Sequence, residues 1–102
     1  MALTQITGYQ CQYSSNLFPP RILLKNGDNI IGQLIFLSDG TELPPDNESG
    51  NQVNLYYHLE NYQHAHATLS EVKEVYLNYA GTGPGNENGL QSGWGPPGNE
   101  AG

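Results

Sequence analysis

The chain has very few positively charged residues. Lysine and arginine together number 3, against 10 aspartates and glutamates, and the formal net charge is −7 at pH 7. Arg21, Lys25 and Lys73 cannot form the basic surface that nucleic acid or an anionic membrane requires. We therefore expect neither as a partner, and the acidity favours solubility or binding of a basic protein.

Cysteine and long hydrophobic runs are also scarce. Cys11 is the single cysteine, which excludes an intrachain disulfide and a cysteine-based zinc site. No apolar stretch approaches the roughly 20 residues that cross a bilayer. The first ten residues lack the basic and apolar segments of a secretory signal. Together with a lone thiol, this predicts a cytoplasmic protein.

What the chain does contain is typical of one small folded domain. It has 102 residues, only 13% of them charged, and 7 tyrosines, which is unlike the composition of a disordered chain. From Gly81 onwards the composition shifts towards glycine and proline. We predict a single domain over residues 1–92 and a flexible Gly/Pro-rich tail over residues 93–102.

The densest apolar run covers residues 21–37 and is interrupted by Asn26-Gly27-Asp28. Because Asn-Gly favours the positive φ of hairpin turns, the run predicts two paired strands, over residues 21–25 and 29–37. Gly32, inside the second strand, indicates a bulge or a close backbone approach.

Both faces of this second strand are apolar. One face carries Ile31, Ile35 and Leu37, and the other carries Ile30, Leu34 and Phe36. A strand with this pattern needs cover on both sides. The helix predicted below can cover only one, so we expect a second sheet layer, the N-terminal strand or another copy of the chain to cover the other.

Periodicity places the remaining elements. Alternation predicts strands over residues 6–14, 53–59 and 74–80, with a short edge strand around Leu90. Tyr62, Ala65, Leu69 and Val72 form a helical stripe within residues 61–72, for which Asn61 is the expected N-cap. Residues 38–52 are expected to form a loop.

These elements predict an α+β domain with a mainly antiparallel sheet of about five strands and one amphipathic helix on one face. Two arrangements of the strand–helix–strand unit stay open. Its strands can be parallel neighbours joined by a right-handed crossover, or the helix can cap one edge of an antiparallel sheet.

The tyrosines indicate a candidate interaction surface. Tyr56 and Tyr76 lie on the polar faces of their predicted strands, and tyrosine is enriched at protein interfaces. If those strands are neighbours, the two rings form an exposed patch. The predicted surface comprises Asn54, Tyr56, His58 and Tyr76, with Leu34 and Phe36 from the strand face that lacks cover.

The residues whose side chains could take part in catalysis or bind a metal do not form a recognisable catalytic or metal-binding pattern. His64 and His66 lie two positions apart, on different sides of the predicted helix. The acids between Asp39 and Glu48 do not have the spacing of an EF-hand. Cys11 has no surrounding nucleophile motif. We expect no catalytic residues, no metal and no cofactor.

Two resemblances accompany these patterns. The segment L-K-N-G-D-N-I-I-G-Q-L-I-F-L is similar to the first hairpin of Sm-like small barrels. The second Sm signature and a basic RNA-binding surface are absent, and we attribute this likeness to shared hairpin chemistry. The segments F-P-P-R-I, G-Q-L-I-F, Q-V-N-L-Y-Y-H-L-E-N-Y, V-Y-L-N-Y and E-N-G-L resemble short uncharacterised bacterial proteins, many of them cyanobacterial. That resemblance implies one compact domain and assigns no activity or site residue.

The sequence therefore predicts a non-catalytic module that binds a protein partner or forms a homo-oligomer. Two alternatives stay open. One is an acidic regulator that binds a basic protein through the loop around residues 39–48, and the other is a small metal-binding protein or enzyme that uses His58.

Overall fold

The computed structural model describes residues 2–83 and 85–93. Within them lies one α-helix, α1 (Tyr62–Glu71), which follows a 3₁₀ turn at Leu59–Asn61. The strands are β1 (Ala2–Ile6), β2 (Gly8–Gln12), β3 (Arg21–Asn26), β4 (Asn29–Leu37), β5 (Asn47–Ser49), β6 (Gln52–His58), β7 (Val75–Tyr79) and β8 (Gly89–Ser92). Among the described residues, no helix is both long and apolar enough to cross a membrane.

The strands form two sheets within one α+β domain, which confirms the predicted fold class. The larger sheet has the order β2-β3-β4-β6-β5, and the smaller one has the order β1-β7-β8. Neighbouring strands are antiparallel except β4 and β6, which run parallel with Leu34 opposite Leu55. The predicted tail falls almost entirely outside the described residues.

Thr7 marks the point where one extended segment passes from the smaller sheet to the larger. β1 pairs with β7, and β2, one residue further on, pairs with β3. The Thr7 N–H donates to the Lys25 carbonyl at 2.8 Å, and its hydroxyl accepts from the Gly27 N–H at 2.7 Å. The segment is thus fixed to the β3–β4 turn at the place where it bends.

The β3–β4 hairpin is present as predicted. Its two-residue turn consists of Gly27 and Asp28, and only Gly27 has a positive φ, at 61°. Glycine at the first central position is typical of a type II′ turn. Further along, the register shifts between Leu24 and Lys25, and Ile31 is left without a directly opposite residue. This β-bulge explains why Ile31 packs against the core while Ile30 is 45% exposed.

The core lies between the larger sheet, the helix and the smaller sheet. Ile22, Leu24, Leu34, Phe36 and Leu55 of the larger sheet are almost completely buried. α1 contributes Ala65 and Leu69, and β7 contributes Val75 and Leu77, to the same cluster. The helical stripe and the alternation of the β7 region are confirmed. Full burial of a large apolar side chain contributes about 1.5–3 kcal/mol, so these layers hold the domain together.

Both arrangements expected for the unit β6–α1–β7 are wrong. β6 and β7 belong to different sheets, so they are neither parallel neighbours nor members of one antiparallel sheet. The helix instead carries the chain from the larger sheet to the smaller one. The parallel pair is β4–β6, and the predicted loop between them contains the short strand β5.

Two smaller predictions are also corrected. The first strand, expected over residues 6–14, is interrupted at Thr7, and β1 begins earlier, at Ala2. Asn61 makes no side-chain cap for α1. A carboxylate from the preceding loop binds the turn before the helix instead: Asp39 Oδ1 accepts from the Glu60 N–H at 2.7 Å.

The prediction that Leu34 and Phe36 belong to an interaction surface is wrong, whereas the second layer expected as one possible cover is present as the smaller sheet. Leu34 is 0% and Phe36 is 1% exposed, because α1 and the smaller sheet together cover their face. The Phe36 ring lies 4.9 Å from the Tyr62 ring of the helix and 5.7 Å from that of Tyr57. The opposite face of β4, with Ile35 and Leu37, is half-buried.

Gly32 is predicted to be intolerant of a side chain. A Cβ there would lie 2.6 Å from the Val53 carbonyl oxygen and 3.2 Å from Leu77 Cδ2. Because the first of these atoms belongs to the backbone of a central strand, Gly32→Ala should lower the free energy of unfolding by about 1–3 kcal/mol. Urea denaturation measures the change. Gly85→Ala is the control, since a Cβ at Gly85 would have no neighbouring atom within 4 Å, and an equal loss in both variants would contradict the prediction.

Candidate interaction surface

Three of the predicted surface residues share one face of β6. Asn54, Tyr56 and His58 are all half-buried on the side of the larger sheet that faces away from the core. Gln33 Nε2 donates to Asn54 Oδ1 at 3.0 Å, and Asn54 Nδ2 donates to Asn47 Oδ1 at 2.9 Å. These amides bind one another across three strands, which leaves little of their hydrogen-bonding capacity for a ligand.

The other predicted residues do not join this surface. Tyr76 lies on β7, in the smaller sheet, opposite Gln5 and Gln91. The expected patch of Tyr56 and Tyr76 required β6 and β7 to be neighbours. These strands belong to different sheets, so the two rings are not brought together. Leu34 and Phe36 are corrected as well, since both are core residues and neither can contribute to a surface of the folded chain.

The acidic loop folds back on β6 and uses its carboxylates internally. Asp46 Oδ1 accepts from the Tyr56 N–H at 2.9 Å, and Asp39 binds the 3₁₀ turn as described above. His58 Nε2 lies 2.6 Å from the Thr41 carbonyl oxygen and therefore acts as the donor. With Asp39 and Asp46 engaged in this way, the loop presents no ring of free oxygen ligands.

Asp46 also joins the larger sheet to the segment that precedes β8. Its Oδ2 accepts from Asn88 Nδ2 at 3.1 Å, and its carbonyl oxygen accepts from the Thr82 hydroxyl at 2.9 Å. Asn88 Oδ1 in turn accepts from the Ala80 N–H at 2.7 Å, at the end of β7. This network ties the two sheets together a second time.

Tyr57 lies beside this network. Burial raises the pKa of the Tyr57 phenol above its ordinary value of 10.0, and the negative charge of Asp46 raises it further. The phenol therefore stays protonated at neutral pH. No acid–base role follows from it.

A cavity of about 330 Å³ opens between α1, β6 and β8. Its walls are formed by Tyr57, Asn61, His64, Ala65, Thr68 and Leu90. The Thr68 hydroxyl is already bonded to the His64 carbonyl oxygen at 3.0 Å. Within residues 2–83 and 85–93, no three histidine, cysteine, aspartate or glutamate side chains come close enough to hold a metal ion.

Four exposed apolar side chains lie where the β2–β3 connection meets the 3₁₀ turn. Tyr13 is 81%, Leu17 100%, Phe18 61% and Leu59 40% exposed. Tyr13 and Leu59 line a shared depression of about 340 Å³ together with Pro20, Tyr62 and Gln63. We call Tyr13, Leu17, Phe18 and Leu59 the apolar end.

Local structure holds the apolar end in place. The Pro20 carbonyl accepts from the Phe36 N–H at 3.0 Å, which fixes the end of the connection to β4. The Arg21 guanidinium carbon lies 5.9 Å from the centre of the Phe18 ring, within the range of a cation–π interaction. The Phe18 N–H donates to Asn16 Oδ1 at 3.2 Å. The sequence signal for this site was Leu17-Phe18 beside two prolines, which sequence reasoning treated only as a break in regular structure.

No protein-family model, curated protein or solved structure matches this chain. The resemblance to short bacterial proteins therefore stays a prediction, and function has to be argued from the geometry alone.

Removing the charge of Asp46 should weaken the joint between the sheets. Asp46→Asn keeps one acceptor oxygen but sets an amide against the donors of Tyr56 and Asn88. An unsatisfied partner in a half-buried network costs about 1–3 kcal/mol, and thermal denaturation should show a loss of stability of this size. Glu48→Gln, on the exposed strand β5, is the control. A loss as large in Glu48→Gln would contradict the prediction.

The same substitution should change the titration of Tyr57. Its pKa should fall in Asp46→Asn and stay above 10.0, because burial is the larger cause of the shift. The folded state binds this proton more tightly than the unfolded state, so the associated stability is complete below pH about 10 and is lost as pH rises through the folded pKa. Phenolate absorbance, compared with that of Tyr57→Phe to identify the residue, measures the pKa of Tyr57. Denaturation at increasing pH measures the loss of stability. An unchanged Tyr57 pKa in Asp46→Asn would show that the carboxylate is remote from the ring.

Proposed function

We propose that this protein is a non-catalytic interaction module that associates with a protein surface through its apolar end. The observation that supports this is the clustering of Tyr13, Leu17, Phe18 and Leu59 at one end of a domain whose core is otherwise well enclosed. Single exposed apolar residues are ordinary on protein surfaces, but a contiguous group of them marks a binding site.

The composition of the apolar end suits a protein partner. It presents two aromatic and two aliphatic side chains, and aromatic residues are enriched where proteins meet. The Arg21 guanidinium beside Phe18 adds a charged group that can bind a carboxylate at the rim. The neighbouring depression, lined by Tyr13 and Leu59, can receive one side chain of the partner.

The proposal predicts that polar substitution of the apolar end abolishes association without unfolding the domain. Leu17→Ser combined with Phe18→Ser removes two adjacent exposed apolar groups, and neither is part of the buried cluster. Stability should therefore change by no more than about 0.5 kcal/mol, as is usual for surface positions. Affinity capture of a partner protein from the native cell measures the association.

The matched control is Leu3→Ser, which removes a leucine that is 51% exposed on β1 of the smaller sheet. The wild type and Leu3→Ser should capture a partner protein equally, and the double variant should capture none. Binding that survives in the double variant, or that is lost equally in Leu3→Ser, would refute a role for the apolar end.

A further inference from the structure

β2 is the terminal strand of the larger sheet and is exposed on both of its faces. It pairs with β3 on one side only. Tyr9, Gln10 and Cys11 are all exposed, whereas neighbouring residues of the central strands alternate between buried and half-buried. Tyr9 and Cys11 face the helix, and Gln10 faces the opposite side.

The main-chain groups that point out from this edge can be identified. The Pro20 carbonyl accepts a hydrogen bond from β4, so the main-chain groups of Pro20 point towards that strand. Because main-chain groups alternate in direction along a strand, the N–H and C=O groups of Arg21, Leu23 and Lys25 point towards β2. The Lys25 carbonyl accepts a hydrogen bond from the Thr7 N–H, which agrees with this direction. The residues opposite Arg21 and Leu23 are Gln12 and Gln10, so these two bind β3. The N–H and C=O groups of Tyr9 and Cys11 therefore point away from the sheet.

This edge lacks the usual protection against strand pairing. Natural edge strands are shortened, or carry lysine, other charges or proline. The opposite edge of the same sheet follows this rule, because β5 has three residues, includes Glu48 and is separated from Pro44-Pro45 only by Asp46. β2 has five residues, G-Y-Q-C-Q, with no charge and no proline.

We infer that the edge of β2 pairs with β2 of a second copy of this chain. The pairing is antiparallel about a twofold axis at Gln10, which is the register that matches all five residues of each strand. Tyr9 of each copy then lies opposite Cys11 of the other, and their outward N–H and C=O groups form the hydrogen bonds of a ten-stranded sheet. This inference rests on the proposed function, since it names a second copy as the partner.

The absence of charge on β2 makes this strand the place where two copies can meet. Each chain carries a net charge of −7, which opposes association of two copies, and this repulsion is least when they meet at an uncharged surface. β2 provides such a surface. Tyr13, which is 81% exposed, follows β2 and would come opposite Thr7 of the second copy, so pairing extends into the apolar end. The paired strands alone bury less than the roughly 800 Å² per partner of a typical stable complex. We therefore expect a reversible dimer.

Introducing a charge at the neutral residue Gln10 tests the register. Gln10→Lys and Gln10→Glu each place two like charges opposite one another on the axis, which should raise the dimer dissociation constant about fivefold. An equimolar mixture of the two variants forms an opposite-charge pair and should restore association to the wild-type level. Sedimentation equilibrium measures all four samples. The controls are Gln91→Lys and Gln91→Glu, which place the same charges at an exposed position of β8.

Four results would overturn the inference. They are a wild type that stays monomeric, Gln10 variants that associate like the Gln91 variants, a mixture that does not recover, and a Gln10→Lys variant that associates more tightly than the wild type. The last would mean that net charge alone governs association. If the wild type is monomeric but a partner is captured through Leu17 and Phe18, the proposed function stands and the β2 pairing alone fails.

Cys11 gives a second, independent measurement on the unmodified protein. In the proposed register the two Cys11 residues are diagonal neighbours with Cα atoms about 7–8 Å apart. That separation is too long for a disulfide but within reach of a short bis-maleimide. The wild type should be cross-linked to a dimer by this reagent and not by mild oxidation. Efficient disulfide formation, or no cross-link under conditions in which sedimentation shows a dimer, would exclude the register.

Discussion

The fold depends on the bend at Thr7, where one extended segment leaves the smaller sheet and enters the larger. A continuous strand could belong to only one of them. The bend lets β1 pair with β7 and β2 with β3, and the hydrogen bonds of Thr7 to Lys25 and Gly27 fix it to the β3–β4 turn. Asn26 Nδ2 adds a bond to the Gln5 carbonyl at 2.8 Å. Because the two sheets are held together at this point, they can enclose a core that neither could bury alone.

The Asp46 network provides a second joint between the sheets. It binds the end of the acidic loop to β6 on one side and to Thr82 and Asn88 on the other. The net acidity of the chain therefore does not translate into a free acidic surface here, since Asp39 and Asp46 are held by backbone donors. Because the two sheets are connected at both places and enclose the core, the outer edge of β2 and the apolar end are among the features left exposed for interaction.

Local patterns in the sequence predicted the helix and most of the strands, but they could not predict which strands pair. The hairpin of β3 and β4, the strand β6, the helix stripe and β7 all follow from periods of two or about 3.6 residues. β5 was missed because three polar residues after two prolines carry no such period. The pairing of β1 with β7 joins residues as distant in sequence as Ala2 and Tyr79, and nothing local encodes it.

The same limit governs the candidate site. Asn54, Tyr56 and His58 were correctly placed on one face of a strand because alternation alone decides that. Tyr76 was placed beside them only by assuming that β6 and β7 are neighbours. Leu34 and Phe36 were assigned to an interaction surface, although a second sheet layer was one of the covers expected for their strand, and the smaller sheet is that layer. A need for partners is better argued from the exposed Leu17 and Phe18 than from those buried residues.

Residue-resolved amide hydrogen exchange tests most directly the claim that the bend leaves β2 with an unpaired edge. At low protein concentration the amides of Gln10 and Gln12 should be protected by β3, while those of Tyr9 and Cys11 exchange at close to the rate of an unfolded chain. As the concentration rises, Tyr9 and Cys11 should gain protection and Leu3 should not change. Protection of Tyr9 and Cys11 that does not depend on concentration would show that their amides are bonded within one chain, which would contradict the account.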